Sequence, residues 1–394
     1  MINVAQGLAR FLTGILVLVF KRGPVIARSM PYWCIGNPGG DPFGEKVLKI
    51  LDSLRLTDIL VWAAEQGLIE MTSAHDDDLV PWDPAHPGTL TPDDRAQIEE
   101  IRRRLDKAGI KFHMMTCNLH AHPLFQRGGL TNPNPAVREI ARQKAERALL
   151  IGNLLGAIRF TYWVARDGFE VSVKAVDDPF QLIADALNHA RAYMKQMGFE
   201  NYRQGTIEPK PNEPRGHMWI ATAGHAVGLI QTKLKERQFW GVNPELMQHE
   251  GMTLLDAVSC VKFLVSCGKL FFLHFGNQIK GQFDNDFPPL VGPEHLKETV
   301  EMFRVLKVLG WKGVVEFDCH MLRCEADPEA DEQCRQQFIR NCSTALTIAL
   351  ELAERQKGLD VSGMKESEAD LAAIMAMTGL DPAEVAAKTS RAAA

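Results

Sequence analysis

Over most of its length the sequence alternates between short strand-like runs and amphipathic helical stretches, which limits the fold more than any single residue does. EKVLKILDSLRLTDILVWAAEQG (45–67) places apolar residues at helical spacing, closes on Gly67 and gives way to LIEMTS (68–73). DDRAQIEEIRRRLDKAG (93–109) leads into IKFHMMT (110–116), and PAVREIARQKAERALLIGNLLG (135–156) into AIRFTYW (157–163). PFQLIADALNHARAYMKQMG (179–198) precedes a strand over 203–208, and TAGHAVGLIQTKL (222–234) precedes QFWGVN (238–243). LLDAVSCVKFLVSCG (254–268) runs into KLFFLHF (269–275), and HLKETVEMFRVLKVLG (295–310) into WKGVVEFD (311–318). PYWCIG (31–36) stands as the first apolar run, with the first strand beginning near Tyr32, and the stretch from Asp327 to Gly358 carries Phe338, Cys342, Leu346, Ala349 and Leu352 at helical spacing.

Counting that last helix, eight strand-then-helix units result. Such alternation predicts an α/β fold with parallel strands, and eight units favour a closed (β/α)8 TIM barrel over an open doubly wound sheet. The placement of polar residues decides between them. His75, Trp163, Glu208, Glu245, His274 and Asp318 lie at or just past the C-terminal ends of predicted strands. A barrel brings those ends to one mouth, whereas an open sheet strings them along an edge.

Three domains follow. Residues 1–29 read as an N-terminal extension outside the barrel, 30–328 as the catalytic barrel, and 329–394 as a C-terminal helical arm whose first helix is a candidate to close the barrel. Within the extension, FLTGILVLVF (11–20) is too short to span a bilayer and is followed by Lys21-Arg22-Gly23 rather than a small-residue cleavage site. The tail beyond 359 is too thin to fold alone and needs the barrel or a neighbouring subunit to cover Leu371, Ile374 and Leu380. A net charge of −5 with no basic run argues against a nucleic-acid surface. The eight cysteines contain no CxxC pair, which fits reduced thiols in a cytoplasmic protein and not a structural zinc.

The most rigid local segment is Ile207-Glu208-Pro209-Lys210-Pro211-Asn212-Glu213-Pro214-Arg215-Gly216. Its prolines exclude a helix interior and a central strand, so Glu208 ends a strand and Lys210 sits on a loop with little backbone freedom. A surface turn is the plain alternative. At the other strand ends, Glu208, Glu245, Asp284, Asp286 and Asp318 collect with His249 and His274. Five carboxylates in one mouth repel unless cations neutralise them, and oxygen-rich donors with two imidazoles suit magnesium, manganese or cobalt. His75 has Asp78 three residues on, a spacing that lets a carboxylate orient an imidazole; a solvated acidic loop would look the same. Trp33 and Trp163 are either core aromatics or the walls of a slot that excludes water.

IEPKPNEPRG, HDDDLVP, TCNLHAHPLF, GVNPE followed by HE, KLFFLHFGNQ, FDND and EFD occur in the order that resembles xylose isomerase, from about Tyr32 to about Arg355. The resemblance implies a barrel with a C-terminal α-helical extension wrapping a neighbour in a homotetramer. It also implies an aldose–ketose isomerase, D-xylose to D-xylulose or D-glucose to D-fructose, acting by hydride shift with two divalent cations per subunit. By motif, Glu208, Glu245, His274 and Asp318 would hold the first cation, with Glu245 bridging to a second at His249, Asp284 and Asp286. His75, oriented by Asp78, would open the sugar ring, and Lys210 would bond the C1 oxygen. Trp33, Trp163 and Phe43 (the last from a neighbour) would exclude water, and Thr116, His120 and His320 would line the sugar site.

The chain departs from that pattern at several places. His274 stands for a ligating aspartate, and Glu245 and His249 are four apart rather than three. His120 replaces a phenylalanine, Asn37 a tryptophan and His320 a lysine. These changes keep two alternatives open: an isomerase or epimerase of another sugar, and a sugar-binding homologue with altered metal sites.

Overall fold

The computed structural model describes residues 26–36, 52–212, 216–246, 252–282, 284–289, 295–321, 327–385 and 387. Eight strands form one sheet: β1 (Ala27–Ser29), β2 (Met71–His75), β3 (Lys111–Thr116), β4 (Arg159–Trp163), β5 (Gln204–Glu208), β6 (Trp240–Val242), β7 (Leu273–Phe275) and β8 (Val314–Phe317). Their order is β6-β5-β4-β3-β2-β1-β8-β7, every neighbour parallel. The two end strands meet as well. Val242 bridges Leu270 and Glu245 bridges His274 in parallel fashion, with Val242 N donating to Lys269 O (2.8 Å) and His274 N to Pro244 O (3.1 Å). The sheet therefore closes, as the eight-fold alternation predicts.

Helices α1 (Ser53–Glu65), α2 (Pro92–Lys107), α3 (Pro135–Leu155), α4 (Pro179–Gln196), α5 (Ala223–Lys233), α6 (Ala257–Ser266), α7 (Leu296–Val308) and α8 (Pro328–Gln356) surround it. Their starts are written locally. Thr91, Asn134, Asp178, Thr222, Asp256 and Asp327 each accept a backbone N–H from the first turn, and proline opens α2, α3, α4 and α8. Each helix then buries one stripe on the sheet, as Ile98, Ile101 and Leu105 do on α2.

The first unit corrects two expectations. Ala27–Ser29 pairs with β8 and with β2, so the barrel begins inside the segment read as an extension; residues 1–25 lie outside the described residues. Tyr32–Gly36 is a one-turn helix with every residue buried, not a strand. An apolar run buried on all sides carries no period, and length alone could not separate the two. At the other end, α8 packs between α7 and α1 and is the barrel's eighth helix, so the arm proper is α9 (Glu366–Thr378). It is tied down by Gln356 Nε2 on Ala373 O (2.9 Å) and Arg355 Nη1 on Met377 O (3.2 Å). Leu371 and Leu380 on or beside it stay half exposed, at 53% and 51%.

A buried ion cluster holds the segment after β2. Asp76 accepts from Lys144 Nζ (2.7 and 2.8 Å), Arg147 Nη1 (2.8 Å) and Asn118 N (2.9 Å), all of them buried. Removing one partner from such a cluster leaves an uncompensated charge at a cost of about 3–5 kcal/mol. It fixes the backbone one residue beyond His75.

Candidate active site

The C-terminal strand ends gather the polar residues because β-strand alternation turns every second side chain into the barrel. His75 of β2 is in register with Thr116 of β3, Thr116 with Thr161 of β4, and Trp163 of β4 with Glu208 of β5. Glu245, just past β6, bridges His274 of β7, and Asp318 follows β8. All of these but Thr161 line one cavity of about 160 Å³.

One side of this cavity is anionic. Ligand atoms of Glu208, His274 and Asp318 lie within 4.8 Å of one another. His274 Nδ1 faces Asp318 Oδ2 at 2.9 Å and Glu208 Oε1 at 3.2 Å. Burial works against a charged His274, but Glu208 and Asp318 outweigh it and hold its pKa well above the ordinary imidazole value. Glu245, Asp284 and Asp286 continue the cluster around the mouth. Burial, and then repulsion from Asp318, Asp284, Asp286 and Glu208, pushes the Glu245 carboxyl well above its usual range. Asp286 is pushed up in the same way by burial and Asp284, and its backbone holds φ +47°, a strained position outside glycine. Carboxylates that resist ionising side by side, joined by an imidazole, are a donor set that fits divalent cations.

The opposite side is aromatic and basic. His75 N donates to Asp78 Oδ2 (2.8 Å), and the same oxygen lies 3.1 Å from His75 Nδ1. Burial lowers the His75 pKa, and the adjacent Asp78 more than offsets it, so the net shift is upward. Trp33 packs edge-on against His75 at 4.8 Å between ring centroids and donates its Nε1–H to Asp318 Oδ1 (2.8 Å). His120 stands between His75 (5.4 Å) and Trp163 (4.7 Å). Burial holds it well below the ordinary imidazole pKa, with His75 adding to the effect. Lys210 Nζ lies 4.9 Å over the Trp163 ring and bonds Asp284. Burial disfavours its charge, but Asp284, Asp286 and Glu245 keep it protonated. The proline loop that carries it is pinned by Lys210 N on Ile220 O (3.0 Å) and Met218 N on Pro211 O (3.2 Å).

Of the residues expected at the site, the structure brings Trp33, His75, Thr116, His120, Trp163 and Lys210 into the cavity wall, together with the carboxylates, His274 and His320. Asp78 stands behind His75, Thr116 Oγ1 is turned to Thr161 O (3.0 Å), and His320 lies 3.7 Å from Asp286. His249 and Phe43 lie outside the described residues, as does Asn37. Three residues escaped the sequence reading. Met114 lines the cavity, Asn243 donates to Glu208 Oε2 (3.2 Å), and Glu316 sits beneath His274. Asn243 belongs to the GVNPE motif, and Glu316 is a lone charge inside an apolar strand; either was a signal.

Comparison with models of known protein families returns no match. Xylose isomerase of Thermus thermophilus is 35% identical over 324 residues, spanning 82% of this chain and 78% of that one. Xylose isomerase of Thermus caldophilus is 36% identical over 324 residues with the same coverage, 82% and 78%. Among solved structures, a putative xylose isomerase from Rhodospirillum rubrum superposes with a TM-score of 0.59 at 13% identity, covering 82% of this chain and 99% of that one. L-ribulose 3-epimerase superposes with a TM-score of 0.59 at 12% identity, covering 86% and 100%, so the fold is shared with epimerases as well.

Proposed function

The chain belongs to the xylose isomerase family, and from that premise we propose that it interconverts an aldose and a ketose in this cavity, D-xylose with D-xylulose foremost and D-glucose with D-fructose as a further pair. The observation that carries the reading is the meeting of two halves in one cavity: the Glu208–His274–Asp318 cluster on one side, and His75–Asp78, Lys210, Trp33 and Trp163 on the other. A sugar lying between them has its oxygens toward the carboxylates and its carbon skeleton against the indoles.

Asp78 holds Nδ1 of His75, leaving Nε2 to take the proton of the anomeric hydroxyl and deliver it to the ring oxygen as the bond between that oxygen and C1 breaks. Lys210, kept cationic, donates to the carbonyl oxygen as negative charge develops there. Trp33 and Trp163 shut out water while hydrogen passes with its electron pair between C1 and C2. Divalent cations, two per chain and drawn from magnesium, manganese or cobalt, would supply charge that stabilises the oxyanions of the substrate. Glu208, His274 and Asp318 would hold one, and Glu245, Asp284 and Asp286 with His249 the other. Because His274 offers nitrogen where a carboxylate would offer oxygen, manganese and cobalt suit the first position better than magnesium does.

We read the exposed Leu371, Ile374 and Leu380 around α9 as contacts with neighbouring copies in a cytoplasmic homotetramer acting on free sugars. Among the described residues no helix is long and apolar enough to cross a membrane. A panel of aldoses and ketoses, incubated with magnesium, manganese or cobalt and followed by NMR, tests the reading. Aldose–ketose exchange supports it. Exchange only between two ketoses would assign epimerisation instead, and sugar binding without turnover would assign a binding protein.

A further inference from the structure

One charged group in the barrel interior has no part in the chemistry described so far. Glu316 of β8 is fully buried, in register with Ser29 of β1 on one side and His274 of β7 on the other. Its Oε2 accepts from Ser29 Oγ (2.5 Å) and faces His113 Nε2 at 2.6 Å, while its Oε1 faces His274 Nε2 at 3.1 Å. The proton positions follow from the partners. Arg159 Nη1 lies 3.2 Å from His113 Nδ1, and a guanidinium can only donate, so that nitrogen accepts. His113 therefore carries its proton on Nε2 and donates it to Glu316. Arg159 is itself held by Gln204 Oε1, 2.6 Å from its Nε.

With Oε2 committed to two donors, Oε1 is left to accept from His274 Nε2. We propose that Glu316 is a positioning residue for the cation cluster: it accepts the Nε2–H of His274, so that Nδ1, facing Glu208 and Asp318, is the nitrogen left to a cation once that cation displaces the Nδ1 proton. Histidines that bind metals commonly donate their other ring N–H to a carboxylate, which fixes the tautomer and strengthens the ligand. This rests on the reading that His274 belongs to a cation site. Strand register makes the pair, so the support is a property of the barrel layer and not of a loop.

The amide of Glu316→Gln can present an N–H to His274 Nε2, which turns that nitrogen into an acceptor and moves the ring proton to Nδ1, against the cation. Titrating manganese into metal-free protein by calorimetry tests this, beside His274→Ala. We expect Glu316→Gln to weaken binding at one of the two positions by roughly 10–100-fold, the usual cost of losing such an outer partner. If His274→Ala binds manganese like the unaltered protein, His274 is not a ligand and the underlying site reading falls. If His274→Ala loses affinity and a folded Glu316→Gln does not, the site reading stands and the role of Glu316 is overturned. The unaltered protein, labelled with 15N-histidine and loaded with magnesium, provides a check that needs no variant. Long-range 1H–15N couplings should place the His274 proton on Nε2, and a proton on Nδ1 would refute the proposal.

Discussion

At the residue scale, two side chains set how the site responds to pH and to substrate charge. The His75 pKa is raised because Asp78 outweighs burial, and in the proposed mechanism the neutral ring is the base. Activity should therefore be low in acid and rise with pH through a midpoint above the ordinary imidazole value of about 6.5. Asp78→Asn should move that acid limb to lower pH and lower the plateau, as pH–rate profiles of the two proteins will show. Linkage runs in step: the stability contributed by the His75–Asp78 pair is fully present below the unfolded pKa and is lost as pH rises through the raised folded one. Lys210 makes a different prediction. Lys210→Met should lower kcat by roughly 10²-fold, as loss of one oxyanion donor does, with manganese binding retained. Steady-state kinetics and calorimetry read both, and a fully active variant would remove the lysine from the mechanism. The places of His75 and Lys210 in the cavity wall were legible in the sequence because polar residues at or just past strand ends have few structural reasons to be there. The partners of Glu316 were not legible: the strand pattern that points Asp318 inward also points Glu316 inward, but nothing local tells which imidazole it meets from β3 and β7.

At the scale of elements, the short first strand is where sequence and structure differ most. Ala27–Ser29 shows no alternation and is followed by a strongly apolar run, so the eye settles on Tyr32–Gly36. Its importance comes from partners remote in sequence. Ser29 donates to Glu316, and Arg28 donates from its backbone to Glu70 Oε2 (2.7 Å) and from Nη1 to Ser343 Oγ (3.0 Å). A chain beginning at Met30 loses all of these and leaves β2 and β8 without the strand between them. We expect it to be poorly soluble, or to melt well below the intact chain in a thermal scan; equal stability would show that β1 is dispensable. The longer helices offered no such difficulty. Caps at Thr91, Asn134 and Asp178, each followed by proline, bound the amphipathic stretches from their first residue.

For the whole molecule, closure of the barrel turns scattered motifs into one site. Glu208 and Asp318 are far apart in the chain, yet both lie within hydrogen-bonding distance of His274, because β5, β7 and β8 end at the same mouth. The seven motifs predicted that gathering in outline, while two of the three added imidazoles, His120 and His320, were visible only as substitutions whose surroundings had to be seen. In the proposed reaction hydrogen moves directly between two sugar carbons inside a dry cavity. Xylose deuterated at C2, incubated with the manganese-loaded protein in ordinary water, tests it most directly. NMR of the product should show xylulose with deuterium retained at C1. Xylulose that carries no deuterium, its label lost to water, would contradict a direct transfer and place an exchangeable proton in the mechanism.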